Sequence, residues 1–111
     1  SIEGAGGLMV PLNESETILD LIKMLGVDVI LVSRNYLGSI NHSLLTARVL
    51  NQSGIKVLGW VFNDQFMQYE DEICGWTNLP LLASIPFTES PDKDFIRLQA
   101  DKLAPGLKKW L

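Results

Sequence analysis

An α/β fold, with a parallel sheet and helices on both faces, is what this sequence predicts, and three observations carry the prediction. Three runs, 27–32, 57–62 and 81–85, are rich in aliphatic and β-branched residues at nearly every position, as strands covered on both faces are. Between them lie stretches with helical periodicity. The linkers are only a few residues long and contain no Asn-Gly hairpin signal, so successive strands are expected to be joined by right-handed βαβ crossovers.

In chain order, Ser1-Ile2-Glu3 reads as the last step of a strand running into Gly4-Ala5-Gly6-Gly7. Ile18, Leu21, Ile22 and Leu25 then form an apolar stripe at i, i+3, i+4 and i+7, with Asn13 and Glu16 as the capping pair and Gly26 as the stop. A first full strand follows at 27–32. The second helix carries Ile40, Leu44 and Ala47, widened by Leu45 and Leu50, and ends at Ser53-Gly54. After the strand 57–62, Phe66, Tyr69 and Ile73 mark a shorter third helix. The strand 81–85 leads to a fourth helix over 95–103, which Pro105 is expected to break. The whole chain, 1–111, reads as a single domain, and its abrupt opening suggests an incomplete one.

Composition narrows the function classes. Of 111 residues 47% are hydrophobic and 20% charged, enough for one apolar core. With 9 Lys and Arg against 13 Asp and Glu the net charge is -4, and no basic cluster is present to hold a phosphate backbone, so nucleic acid is not an expected partner. No apolar run approaches the length of a membrane span and no Lys/Arg-led apolar segment opens the chain, so no membrane association and a cytoplasmic location are expected. Cys74 and His42 each stand alone, which leaves neither a disulfide nor a zinc framework. Cys74, Met67 and Met9 are expected to pack.

Ligands of open parallel sheets collect beyond the carboxyl ends of the strands, so the residues there hold the candidate chemistry. Glu3 followed by Gly4, Ala5 and Gly6 joins a carboxylate suited to magnesium with a backbone able to approach phosphate closely; the plainer alternative is a glycine-rich turn. Leu37-Gly38-Ser39-Ile40-Asn41-His42 is a tight turn entering a helix, where free N–H groups and the Ser39 and Asn41 side chains can cradle a carboxylate or phosphate; alternatively Ser39 only caps the helix. Asn63-Asp64 places an amide, which can pair with the N6/N7 edge of adenine, straight after a strand; a simple turn is the competing reading.

Taken together, Glu3-Gly4-Ala5-Gly6-Gly7 with Pro11-Leu12, Val29-Ile30-Leu31-Val32, Leu37 to His42 with Leu45-Thr46, Gly59-Trp60-Val61-Phe62-Asn63 and Ile85-Pro86 resemble the carboxyl-terminal half of dethiobiotin synthetase, from the first residue to about Asp94. The resemblance implies a P-loop NTPase-like α/β subunit that works as a homodimer in biotin synthesis. It implies an ATP- and Mg2+-dependent ligase that carboxylates 7,8-diaminononanoate with CO2, phosphorylates the carbamate, and lets the second amine close the ureido ring. By residue, Glu3 corresponds to the magnesium-binding glutamate and Gly4, Ala5 and Gly6 to the loop beside the nucleotide. Asn63 corresponds to the adenine-reading amide, with Asp64 beside it, and Pro86, Phe87 and Thr88 line the adenine pocket. Gly38, Ser39, Ile40 and Asn41 correspond to the turn that holds the substrate's tail carboxylate across the dimer interface, and Tyr69 falls where the family has an interface tyrosine.

The departure is that no G-x-x-x-x-G-K-[ST] occurs and no lysine is poised on phosphates. No catalytic residue is therefore assigned here, and activity is expected only with the missing amino-terminal half. A rival expectation is a non-catalytic regulatory or ligand-sensing module of the same fold, which would keep Glu3 and the glycines without turnover.

Overall fold

The computed structural model describes residues 1–64 and 68–110. The elements run α1 (Ile18–Leu25), β1 (Val29–Arg34), α2 (Ser39–Gln52), β2 (Val57–Asn63), α3 (Glu70–Thr77), β3 (Leu81–Ile85) and α4 (Lys93–Lys108). The three strands form a parallel sheet in the order β1-β2-β3, as the alternation of strand and helix predicts. Phe66, expected at the start of the third helix, and Met67 lie outside the described residues.

Strand register decides what each face carries. Leu31 pairs with Trp60 and Ser33 with Phe62, so these four side chains share one face, where Trp60 and Phe62 stack with ring centroids 5.7 Å apart. Leu50 and Ala47 from α2, Ile73 from α3 and Leu19 from α1 complete that core. The Trp60 indole N–H donates to Thr77 Oγ1 at 2.9 Å, which satisfies its polar atom inside the cluster. α4 packs along β3; on the reverse face Val61 is buried, whereas Ile30 and Val32 of β1 are 38% and 68% exposed. β1 is thus an edge strand with one bare apolar face.

Several expectations need correction. Ser1-Ile2-Glu3 forms no strand; these residues are exposed coil, because none of the three described strands pairs with them. β1 begins two residues later than expected and extends to Arg34, because Ser33 and Arg34 continue the ladder opposite Phe62 and Asn63. Asn13 and Glu16 do not cap α1. Asn13 Oδ1 instead accepts from the N–H groups of Ser15 and Glu16, closing a turn within the segment bridged by Pro11 and Thr17. The cap is Thr17, in a capping box with Asp20 whose carboxylate accepts from the Thr17 N–H at 2.8 Å and from its hydroxyl at 2.9 Å. Pro105 does not break α4, which runs through it to Lys108. Proline removes one donor, and here the carbonyl it leaves belongs to Asp101, an exposed residue where water can take its place. Met9 is exposed rather than packed.

The Thr17–Asp20 box carries a pH prediction. Hydrogen bonds from the Thr17 N–H first, and then from its hydroxyl, hold the Asp20 carboxyl below its ordinary value. A depressed folded-state pKa gives stability that is present above the unfolded value and is lost as pH falls through the folded one. Thermal melts across a pH series, followed by far-ultraviolet circular dichroism, should therefore fall more steeply on acidification in the wild type than in Asp20→Asn. Identical slopes would show that the box does not contribute.

Candidate functional site

Parallel strands bring their exits to one edge of the sheet. There Arg34, Asn63 and Ile85 lie in register across β1, β2 and β3, followed respectively by the turn 35–38, by Asp64 and by Pro86. The Asp64 N–H donates to the Ile85 carbonyl at 3.2 Å, which holds the β2 exit against the start of Pro86-Phe87-Thr88. Asn63 is exposed, Pro86 and Thr88 are half-buried and Phe87 is exposed. The structure thus joins Asn63, Asp64 and Pro86 to Thr88 in one place, with an amide and an aromatic ring open to solvent.

The β1 exit feeds α2. Gly38 is its N-cap at φ 95, a left-handed conformation that suits glycine, and the Ser39 N–H closes the turn onto the Tyr36 carbonyl at 2.9 Å. Ser39 does not cap the helix with its side chain: it is the first helical residue, fully buried, and its Oγ has no hydrogen-bond partner among the described residues. Ile40 and Asn41 occupy first-turn positions whose N–H groups lack an i−4 acceptor within the helix, and Asn41 is exposed. This arrangement can hold an anion by backbone N–H groups with the Asn41 amide beside them. Tyr69 is the N-cap residue of α3, half-buried and packed on the core.

Glu3, Gly4, Ala5 and Gly6 lie in exposed coil. Gly6 and Gly7 line an open cavity of about 760 Å3 together with Arg34, Tyr36 and His42, so the end of the glycine segment does reach the β1 exit and the start of α2. Most of the cavity wall is apolar and includes Leu31, Val32 and Trp60. No group of three or more His, Cys, Asp or Glu side chains suitable for a metal occurs among the described residues. Glu3 can still supply one oxygen to Mg2+, an ion that keeps several waters and binds through one or two carboxylates plus substrate phosphates. The described residues thus build no metal site from this chain's side chains alone.

Three polar arrangements have no counterpart in the sequence reading. Arg34 and Asp64 form an ion pair, Nη2 to Oδ2 at 2.5 Å. Glu70 Oε1 accepts from Asn35 Nδ2 at 2.9 Å and from the Ser84 hydroxyl at 3.1 Å, which ties the exits of β1 and β3 to the start of α3. The Tyr36 hydroxyl and His42 Nδ1 lie 2.5 Å apart at the cavity. The one available signal was position, since Arg34 and Asp64 each border an apolar strand run. Cys74 packs on the core, where burial first, then Asp71 and Glu70, push its thiol up.

Residues 2–93 match a family described as AAA domain. The chain is 45% identical over 100 residues to the ATP-dependent dethiobiotin synthetase of Neorickettsia sennetsu, covering 86% of this chain and 40% of that protein. It is 43% identical over 103 residues to that of Cytophaga hutchinsonii, covering 92% of this chain and 50% of that protein. With that of Legionella pneumophila strain Corby the identity is 56% over 73 residues, 64% of this chain and 34% of that protein. The chain spans half or less of the length of these relatives.

Proposed function

The chain belongs to the AAA domain family, and from that membership and its likeness to dethiobiotin synthetases we propose that it supplies the adenine-reading and substrate-tail-binding half of such an enzyme. The observation that carries this reading is the single edge on which Asn63, Asp64 and Pro86 to Thr88 lie at the exits of β2 and β3 while the Gly38 to Asn41 turn lies at the exit of β1. In the complete subunit, 7,8-diaminononanoate reacts through one amine with CO2 to give a carbamate. The γ-phosphoryl group of ATP passes to the carbamate oxygen, and the second amine attacks the carbonyl, expelling phosphate and closing the ring. Glu3 would offer one carboxylate ligand to a magnesium ion bound with the nucleotide, whose charge would offset that of the phosphates.

This chain's own residues bind and orient. The Asn63 amide donates to and accepts from the adenine edge, a pairing that guanine with its carbonyl at the same position does not satisfy. Phe87 offers an exposed ring and Pro86 and Thr88 a half-buried wall beside it. The N–H groups of Ile40 and Asn41, with the Asn41 amide, hold the substrate's tail carboxylate across the interface of a homodimer, and Tyr69 lies at that interface. The bare face of β1 and the apolar cavity beside it seat the remaining part of the subunit, which carries the phosphate-binding loop. Such an enzyme acts on ATP and CO2 in the cytoplasm; no described helix is long and apolar enough to cross a membrane.

Reciprocal substitutions in the complete subunit test the assignment. Losing one hydrogen bond to a charged group costs about 1 to 3 kcal/mol, or roughly 5- to 150-fold in affinity. Asn41→Ala should show that loss for diaminononanoate and leave ATP binding nearly intact. Asn63→Ala should weaken ATP and its preference over GTP with little effect on the diamine. Titration calorimetry measures both, and an Asn41→Ala protein with undiminished diamine affinity would remove the tail assignment and favour a ligand-sensing module.

A further inference from the structure

Asp64 adopts φ 62, one of two described non-glycine residues in the left-handed region, directly after the amide proposed to read adenine. Left-handed backbone is costly for a residue with a Cβ, least so for Asn and Asp, and it persists where the surroundings hold it. Two contacts hold Asp64: its N–H on the Ile85 carbonyl, and its carboxylate on the Arg34 guanidinium. Arg34 is the residue paired with Asn63 across the β1–β2 ladder, so the guanidinium reaches over the end of the neighbouring strand to the residue that follows its own register partner. The Asp64 side chain is 16% exposed and that of Arg34 61%, so the carboxylate is sheltered while its partner arrives from solvent.

We infer that Arg34 is a positioning residue for nucleobase selection: by gripping the Asp64 carboxylate it keeps the β2 exit in its left-handed turn and so fixes the direction in which the Asn63 amide is presented. Arg34 need not touch the nucleotide to do this. The inference rests on the adenine-reading role proposed for Asn63 and adds to it the group that makes the amide's geometry selective, which a flexible exit would not be. A largely exposed guanidinium pair is worth no more than about 1 kcal/mol, so the effect on selection is about fivefold at most.

Equilibrium binding of ATP and of GTP to the complete subunit tests this with five variants. Arg34→Ala should lower the ATP-to-GTP affinity ratio by about three- to fivefold, and Arg34→Lys, which keeps a charge within reach of the carboxylate, should restore most of it. Asp64→Gly is the discriminating background, because glycine takes positive φ without cost and has no carboxylate to grip. There, adding Arg34→Ala should change the ratio no further. If Arg34→Ala weakens ATP and GTP equally in both backgrounds, Arg34 contacts the nucleotide itself and the positioning role is overturned. Asn63→Ala separates the two layers: an unchanged ratio in that variant overturns the adenine reading, whereas a lost ratio there with an unchanged one in Arg34→Ala overturns only the role of Arg34.

Discussion

Replacing Gly59 by alanine should destabilise the domain by about 2 to 5 kcal/mol, the sum of backbone strain and overpacking. Gly59 sits in β2 at φ 152, where a Cβ would stand 2.5 Å from the Pro80 carbonyl oxygen, 2.9 Å from Leu82 Cγ and 3.1 Å from Pro80 Cγ. The first of these is backbone and cannot swing away. The register explains the crowding: the β1–β2 ladder skips Leu58 and the β2–β3 ladder skips Leu82, so the two irregularities bracket Gly59 and draw the chain before β3 onto it. The Trp60 N–H donates to that same Pro80 carbonyl at 2.9 Å, so relief of the clash would break the first bond joining β2 to the β3 side. Trp60 and Phe62 follow immediately and anchor the core, so the damage is not confined to an edge. Urea unfolding of the chain followed by tryptophan fluorescence measures the loss. A midpoint within error of the wild type would mean that the 80–82 segment gives way freely.

The second large effect is on turnover. The 111-residue chain alone, given MgATP, CO2 and diaminononanoate, should form no dethiobiotin, and product should appear when a polypeptide carrying the remaining part of a dethiobiotin synthetase subunit is added. Phosphoryl transfer is catalysed almost entirely by positioning and electrostatic stabilisation, through a backbone cradle and a lysine on the phosphates. The sequence contains no G-x-x-x-x-G-K-[ST] to supply them. Loss of even one donor to a developing negative charge costs about 10^2 to 10^3 in rate, so loss of the whole cradle places turnover below detection. Exposed Ile30 and Val32 and the cavity lined by Leu31 and Trp60 are the surface on which the added polypeptide should seat. Product from the chain alone, above a heat-treated control, would overturn the division of labour proposed here.

Much of this was legible in the residues themselves. The apolar runs at 57–62 and 81–85 and the stripe of Ile18, Leu21, Ile22 and Leu25 report local periodicity, and local periodicity is what selects strand or helix. The turn at Gly38 and the amide at Asn63 were readable for the same reason, since each is a short motif placed just beyond an apolar run. The fold class and the edge of the sheet that carries the candidate site therefore follow from sequence. The cap of α1 is ambiguous in sequence, because Asn13–Glu16 and Thr17–Asp20 both have capping spacing, and only the bridge between Pro11 and Thr17 turns the first into a loop. Pro105 looks like a helix breaker in sequence, but its cost depends on whether the freed carbonyl meets water, a property of position in the fold.

What tertiary structure alone decided is of another kind. The register that skips Leu58 and Leu82, the grip of Arg34 on Asp64, and the meeting of Asn35, Glu70 and Ser84 join residues 14 to 35 positions apart, and no periodicity links such partners. Residue types and their spacing along the chain determine which elements form and which end of the sheet carries the candidate site. Which side chains meet at the strand exits is decided only after the strands have paired, because charge and steric contact act through space and not along the chain.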